Sequence, residues 1–287
     1  MNEEKINLLV AIIDLSPSEW AKTGNDPSQA MNAILMYINT HLAYSHGSDV
    51  AVIAAGLDHG SKYVYPSPHP VDLSSQRSGS AYHTFWEANE TIAENIKSLT
   101  RPDADQTPSK PAIASALAMA LAYISKKKKQ SHGMPFQGRI LVLSVSPDNA
   151  GEYVGLMNAS FSAQKSTIPI DVCRVFGGPS VFLGQASYLT KGVYHEVADI
   201  KMLLQTLITL FLADVQARDY LVFPAAENVD LRAACFCHRR IIDKAFVCSV
   251  CLAATGPEAT MTGQYIPIPP ATKATASSSN ADTSKAM

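Results

Sequence analysis

The sequence predicts an α/β fold built on a mostly parallel central sheet, and three observations predict it. Short, continuous apolar runs of strand length recur between about residue 5 and residue 215, and each is followed by a segment with helical spacing of its apolar residues. The first run, Leu8 to Ile13, is apolar at every position, as in a strand covered on both faces. Consecutive strands separated by helices need crossover connections, and those place helices on both faces of a parallel sheet.

The elements follow in order. Leu8 to Ile13 is the first strand and stops at Asp14; a loop then leads to Asp26-Pro27, an N-cap followed by a proline in the first helical turn. Met31, Ile34, Leu35, Ile38 and Leu42 mark one face of the helix that begins there. Val50 to Ala55 is a second strand. Lys62 to Tyr65, halted by Pro66 and Pro68, is a third, short enough to return antiparallel at the sheet edge. A Ser/Pro-rich loop leads to a helix over Tyr82 to Leu99, and Ile113 to Ile124 is an Ala/Leu/Met helix ending in Lys126 to Lys129. Strands over Arg139 to Val145, Ile168 to Val175 and Tyr194 to Val197 are separated by helices over Ala150 to Gln164 and Ser180 to Tyr188. Ile200, Leu203, Leu204, Leu207 and Phe211 mark a final helix.

After this domain, 5–215, the pattern changes. Residues 216–230 read as a connector, 231–252 as a compact cysteine-rich module, and 253–287 as a disordered tail whose Ala/Thr/Ser/Pro composition offers little to bury. Within the tail, Tyr265 to Pro270 could dock in extended form.

Composition narrows the function. The 287 residues carry 23 Lys+Arg and 25 Asp+Glu, a net charge of −2, which argues against wholesale coating of nucleic-acid phosphates. Charged residues are 17% of the chain, against about 25% in an average soluble protein, so part of the surface is either Ser/Thr/Asn-rich or covered by partners. No apolar run approaches the roughly 20 residues of a membrane helix, and the polar start lacks the basic region of a secretory signal. No G-x-S-x-G, Walker A, G-x-G-x-x-G or H-E-x-x-H motif is present, and the eight histidines form no recognisable dyad, so an enzyme is not expected.

Two motifs carry chemistry. Asp14-Leu15-Ser16-Pro17-Ser18 has the D-x-S-x-S pattern of a metal-ion-dependent adhesion site, where a carboxylate and two hydroxyls at the carboxyl end of a parallel sheet converge as hard oxygen ligands for Mg²⁺. The remaining ligands would come from a Thr near Thr107 and Ser109 and from an Asp after the fourth strand. Asp148 lies near the second place, but Ser144-Val145-Ser146 occupies the strand end. The other reading is that Asp14, Ser16 and Ser18 satisfy backbone groups of a turn, and on balance magnesium is not expected.

The second motif is Cys235-Phe236-Cys237 followed by Cys248-Ser249-Val250-Cys251, two close thiolate pairs across a hairpin-length spacer that suit tetrahedral zinc. His238 could substitute as a ligand. Four of the five cysteines in so short a segment point to metal in a reducing compartment, while Cys173, in an apolar strand, reads as packing. Lys126 to Lys129 is a solvated helix end or a contact for nucleic acid or a partner; direct DNA contact stays open.

The strand–helix order with D-x-S-x-S after the first strand resembles a von Willebrand A domain. Three stretches narrow the resemblance: Leu8 to Asp14 with Pro17 and Trp20, Ser115 to Ile124, and Ala233 to Arg239 leading to Phe246 to Leu252. Together they are similar to the smaller von Willebrand A subunits of the general transcription and DNA-repair factor TFIIH. The resemblance implies a non-catalytic nuclear scaffold that pairs with the larger von Willebrand A/RING-type subunit and with other TFIIH core subunits, in transcription initiation and nucleotide excision repair. In that family the C-x-x-C equivalent to Cys248 and Cys251 is followed by further cysteines that complete a four-cysteine zinc site. Here Leu252 runs into Ala253-Ala254-Thr255 and no cysteine follows. Zinc is held by Cys235, Cys237, Cys248 and Cys251, or the C-terminus has changed, or the site is broken. The alternative function is a metal-dependent adhesion or cargo-binding module working through Asp14, Ser16 and Ser18.

Overall fold

The computed structural model describes residues 5–24, 26–57, 60–66, 83–100, 112–224, 229–235, 241–242, 244–247 and 254–256. The chain divides into two units, Met1–Leu231 and Arg232–Met287.

The first unit is built on a six-stranded sheet. Its strands are β1 (Ile6–Asp14), β2 (Ser48–Leu57), β3 (Gly60–Tyr65), β4 (Phe136–Ser144), β5 (Ile170–Val175) and β6 (Tyr194–Val197). They lie in the order β3-β2-β1-β4-β5-β6. All neighbours are parallel except the β2–β3 hairpin, which supplies the antiparallel edge expected from its short, proline-stopped second strand. Chain order reverses direction across the pair β1/β4, which makes the crevice at their carboxyl ends the topological switch point of the sheet.

Helices cover both faces. α1 (Pro17–Thr23), α2 (Pro27–Tyr44) and α3 (His83–Leu99) lie on one side, followed in the chain by α4 (Ile113–Gln130), α5 (Tyr153–Lys165) and α6 (Val181–Thr190) on the other. Because side chains alternate across a strand, Leu9, Ala11 and Ile13 of β1 join a core with Ile34, Tyr37 and Ile38 of α2, while Leu8, Val10 and Ile12 face the other layer. α1 departs from the loop expected between Asp14 and Asp26. Pro17 opens it, Trp20 is buried, and Gly24 closes it with φ of +65°. A seven-residue helix carries too few periodic positions to stand out; tertiary burial of one tryptophan holds it.

The long helical stretch after β6 is compound. A 3₁₀ turn, Ile200–Met202, runs into α7 (Leu203–Thr206), and that into a π turn, Leu207–Phe211. Its end is held from inside the core by Arg139 on β4, which is 0% exposed. Arg139 Nη1 donates to the carbonyls of Phe211 and Ala213, the latter at 2.8 Å, and Nη2 donates to Leu212 O at 3.1 Å. Tyr37 Oη adds a bond to Phe211 O at 2.9 Å. These are the carbonyls a helix end leaves orphaned, and they carry the negative end of its dipole. Just beyond, Arg218 clasps Asp171 of β5 through two bonds of 2.7 and 2.6 Å, tying residues 213–219 to the sheet.

In the second unit, β7 (Ala233–Ala234) pairs antiparallel with β8 (Ile241–Ile242), and β9 (Phe246–Val247) pairs antiparallel with β10 (Ala254–Thr255). The pairing of β10 corrects the expected start of the tail at residue 253: backbone bonds to β9 hold Ala254 and Thr255 in the module, and Gly256 after them is buried. The rest of the expected tail, 257–287, lies outside the described residues.

Candidate functional site

The carboxyl ends of β1 and β4 bring the D-x-S-x-S residues to the switch point. Asp14 is 1% exposed and its carboxylate is occupied by amides: Oδ1 accepts from Ser16 N at 3.1 Å, and Oδ2 accepts from Val145 N at 3.1 Å and Ser146 N at 2.7 Å. The crevice that doubly wound sheets leave open between such strands is thereby bridged, β1 to β4, by one side chain. Trp20 Nε1 donates to Asp14 O at 2.9 Å and fixes α1 over the strand end. Gly56 on β2 sits at φ of +77°, where a Cβ would lie 2.8 Å from Asp14 Oδ1, so only glycine fits there. Ser16 is buried and Ser18 exposed, with their hydroxyl oxygens 3.5 Å apart. Thr107 and Ser109 lie outside the described residues.

Asp148 goes elsewhere. Its carboxylate accepts from the hydroxyl of Ser180, from Val181 N at 2.8 Å and from Phe182 N at 3.2 Å, so it caps the start of α6, where the free N–H groups and the positive end of the helix dipole favour an anion. Glu152 does the same for α4, whose own N-cap residue, Ala112, has no side-chain oxygen: Glu152 Oε2 accepts from Ala114 N at 3.2 Å. Burial raises the Glu152 pKa, opposed by the amides it accepts. The β4–α5 connection thus supplies the carboxylates that begin two helices.

Beside Ser144-Val145-Ser146 stands a cation that composition did not reveal. Arg174 on β5 is 1% exposed. Its Nη1 donates to Ser144 Oγ at 2.8 Å and to the carbonyl of Ser146, and its Nε donates to Gly178 O at 2.9 Å. Gly177, at φ of +87°, leaves the guanidinium room; a Cβ would come within 2.8 Å of Nη2. Where an adhesion site would need a second acidic ligand, the strand end therefore holds two serines and a permanent positive charge. Any divalent cation nearby would feel its repulsion. The readable signal was a charged residue inside the apolar run Ile170–Val175, since a buried arginine must be hydrogen-bonded.

Of the four thiols expected to hold zinc, Cys235 is described and Cys237, Cys248 and Cys251 lie outside the described residues. Cys235 is 2% exposed and its Sγ accepts from Gly256 N at 3.2 Å. Among the described residues no group of three or more His, Cys, Asp or Glu side chains could hold a metal. Cys173 is fully buried in the core, and burial raises its pKa to about 12, so it stays a thiol. In the lysine run, Lys127 pairs with Asp49 (Nζ–Oδ2 2.8 Å) and lies 5.7 Å from the Tyr123 ring centre, while Lys126, Lys128 and Lys129 are exposed.

Comparison with known proteins decides the family. The family model described as transcription factor Tfb4 matches residues 6–258. This chain belongs to the Tfb4 family. It is 37% identical over 253 residues to "General transcription and DNA repair factor IIH subunit tfb4" of Schizosaccharomyces pombe, covering 86% of this chain and 83% of the relative. The Arabidopsis thaliana TFB4 subunit is 35% identical over 257 residues, covering 87% and 84%. Among solved structures, the TFIIH p34 N-terminal domain superposes with a TM-score of 0.62 at 30% identity, over 74% of this chain and all of that one. A von Willebrand factor type A protein from Catenulispora acidiphila, 20% identical with a TM-score of 0.52 over 71% of this chain and 41% of that one, shares the fold. This Tfb4-family chain is thus an α/β protein with a von Willebrand A-like sheet, and its switch-point acid serves backbone amides.

Proposed function

We propose that this Tfb4-family chain is a non-catalytic scaffold subunit of TFIIH, acting in the nucleus through protein–protein interfaces in transcription initiation and nucleotide excision repair. The observation that carries the reading is its kinship, across most of its length, with curated TFIIH subunits. Two features support it. The carboxylates around the switch point, Asp14, Asp148 and Glu152, serve the fold's own amides. Large apolar side chains also stand exposed on pairs of packed helices: Met36 and Tyr44 of α2 with Met202 and Ile208 of the α7 stretch, and Phe161 of α5 with Tyr188 of α6. Such surface is what partners cover.

The partner is the larger von Willebrand A/RING-type subunit, with other TFIIH core subunits around the pair. Co-expression with that subunit is expected to yield a heterodimer that co-elutes at micromolar concentration; a pair that never co-elutes overturns the reading.

The second unit would hold zinc through Cys235, Cys237, Cys248 and Cys251. The donor chemistry at the one described position supports this: a buried sulfur accepting a backbone N–H is what a metal-bound thiolate needs from its surroundings. When bound, zinc would link the ends of these two-residue strands, which are too short to form a core of their own. Elemental analysis of the pure chain is expected to find about one zinc per molecule; a zinc-free folded chain would reject it.

A further inference from the structure

Two apolar features of the first unit lie at opposite ends of its sheet and have complementary chemistry. The first is a groove of about 610 Å³ beside the carboxyl end of β1, walled by α1, α2 and α3. Leu15, Trp20, Met31, Leu35 and Ile96 make its lining apolar, and Lys97 is the one charged residue among the described lining. Lys97 is exposed and has no carboxylate partner among the described residues. Residues 101–111, which follow the rim residue Thr100, carry no apolar side chain larger than proline with which to fill the groove.

The second feature is a short run near the amino end of the sheet. Tyr220 and Val222 are almost fully exposed and Leu221 is half-exposed, three large apolar residues in a row that a folded surface seldom leaves open. The run stands on a fixed base. Just before it, Arg218 clasps Asp171 at the start of β5. Just after it, Phe223 packs against the core, its ring centre 5.7 Å from the Arg218 guanidinium carbon. Gln185 Nε2 donates to Asp230 O and ties the chain to α6 again. Beside the run, Asp219 is exposed with no cation partner among the described residues.

A run held at one end of the sheet cannot enter a groove at the other end of its own chain, since the nine residues of β1 between them span about 30 Å. A second copy can supply what each feature lacks. Another kind of partner would have to bring an acid to Lys97 and a cation to Asp219; a second copy carries both already. We propose that the Tyr220–Val222 run of one copy of this chain docks in the α1–α2–α3 groove of another, with Asp219 facing Lys97. The groove is of a size that takes a few large side chains. The ion pair at its rim fixes which way the run lies. This goes beyond the scaffold reading: it covers both apolar features in chains not joined to other subunits.

The test is sedimentation velocity of the full chain from about 1 to 100 μM, where the average mass is expected to rise above that of one chain. Tyr220→Ser with Val222→Ser removes the run, and Ala93→Glu, at an exposed position of the lining, blocks the groove. Each variant alone should associate about tenfold more weakly or less, with its melting temperature unchanged. Mixed in equal amounts, the two should form a one-to-one pair, because one keeps its groove and the other its run. Lys97→Asp should weaken association by about threefold, and Asp219→Lys in the same chain should restore it. A wild type that stays a single chain at the highest concentration, variants that associate as the wild type does, or a mixture that does not pair overturns the proposal. So does a lowered melting temperature in the run variant, which would mean that the chain itself covers those residues.

Discussion

Two fully buried arginines, at opposite ends of the same sheet, have been given the same kind of partner. Arg139 near the start of β4 donates to the carbonyls of Phe211, Leu212 and Ala213 and to His41; Arg174 near the end of β5 donates to Ser144 Oγ and to the carbonyls of Ser146 and Gly178. Among the described residues neither is paired with a carboxylate. Arg218, partly reachable by solvent, does have its acid, Asp171. The difference teaches that these core cations work as connectors. A guanidinium presents five donors in a fixed fork and can gather several carbonyls of a helix end or a strand end at once. Asp14 is their mirror image, a buried anion gathering amides.

The comparison can be broken by removing each connector. Arg139→Met is expected to cost most, about 4 kcal/mol, because it removes the donor of Leu212 O, one of the two donors each of Phe211 O and Ala213 O, and the partner of His41; Arg174→Met should follow closely. Chemical denaturation of both measures this, and a loss under about 1 kcal/mol for either would remove the connector role.

His41 sharpens the same point through pH. Burial, then the charge of Arg139, lowers its pKa from 6.5 to about 4. Its Nε2 donates to Asp49 O at 3.2 Å, which leaves Nδ1 to accept from Arg139 Nη2 at 3.2 Å, so the ring must be neutral to fit. The Asp49 carboxylate also acts on it and favours protonation, without prevailing. Between pH 6.5 and about 4 the unfolded chain binds the extra proton, so stability falls as pH drops through that window and levels off below it. The loss amounts to about 3 kcal/mol. His41→Gln should flatten that part of a melting-temperature profile; an unchanged slope would locate the acid sensitivity elsewhere.

Asp14→Asn is expected to cost about 2 kcal/mol, since an amide offers one acceptor to three donors. Neither form should be stabilised by millimolar magnesium; a magnesium-dependent rise in melting temperature in the wild type that the substitution abolishes would restore the metal-site reading. The smallest effect is set by Lys127→Ala, which removes a half-exposed pair with Asp49 and should cost about 0.5 kcal/mol, decreasing with salt.

Much of the architecture was legible because periodicity reports burial. All six sheet strands and the β2–β3 hairpin follow from apolar runs and their stops, and the spacing of Met31, Ile34, Leu35, Ile38 and Leu42 marks α2. α1 was not legible, since one buried tryptophan makes no period. The caps on α4 and α6 were not either, because Glu152 and Asp148 reach them from 38 and more than 30 residues away, beyond any local capping pattern. At the candidate site, D-x-S-x-S located the switch point, but not what Asp14 does there. Its amide donors on Val145 and Ser146 lie 131 and 132 residues along the chain.

The sequence by itself determined which segments are strands and helices, that the sheet is mostly parallel, and the kinship with the TFIIH subunits, since these rest on local patterns of residue type. Only the tertiary structure decided what the buried charges do. Whether a carboxylate awaits a cation or gathers amides, and whether a core arginine finds an acid or a row of carbonyls, depends on backbone groups brought together from distant parts of the chain. Backbone N–H and C=O groups are the same at almost every residue, so no side-chain pattern records them.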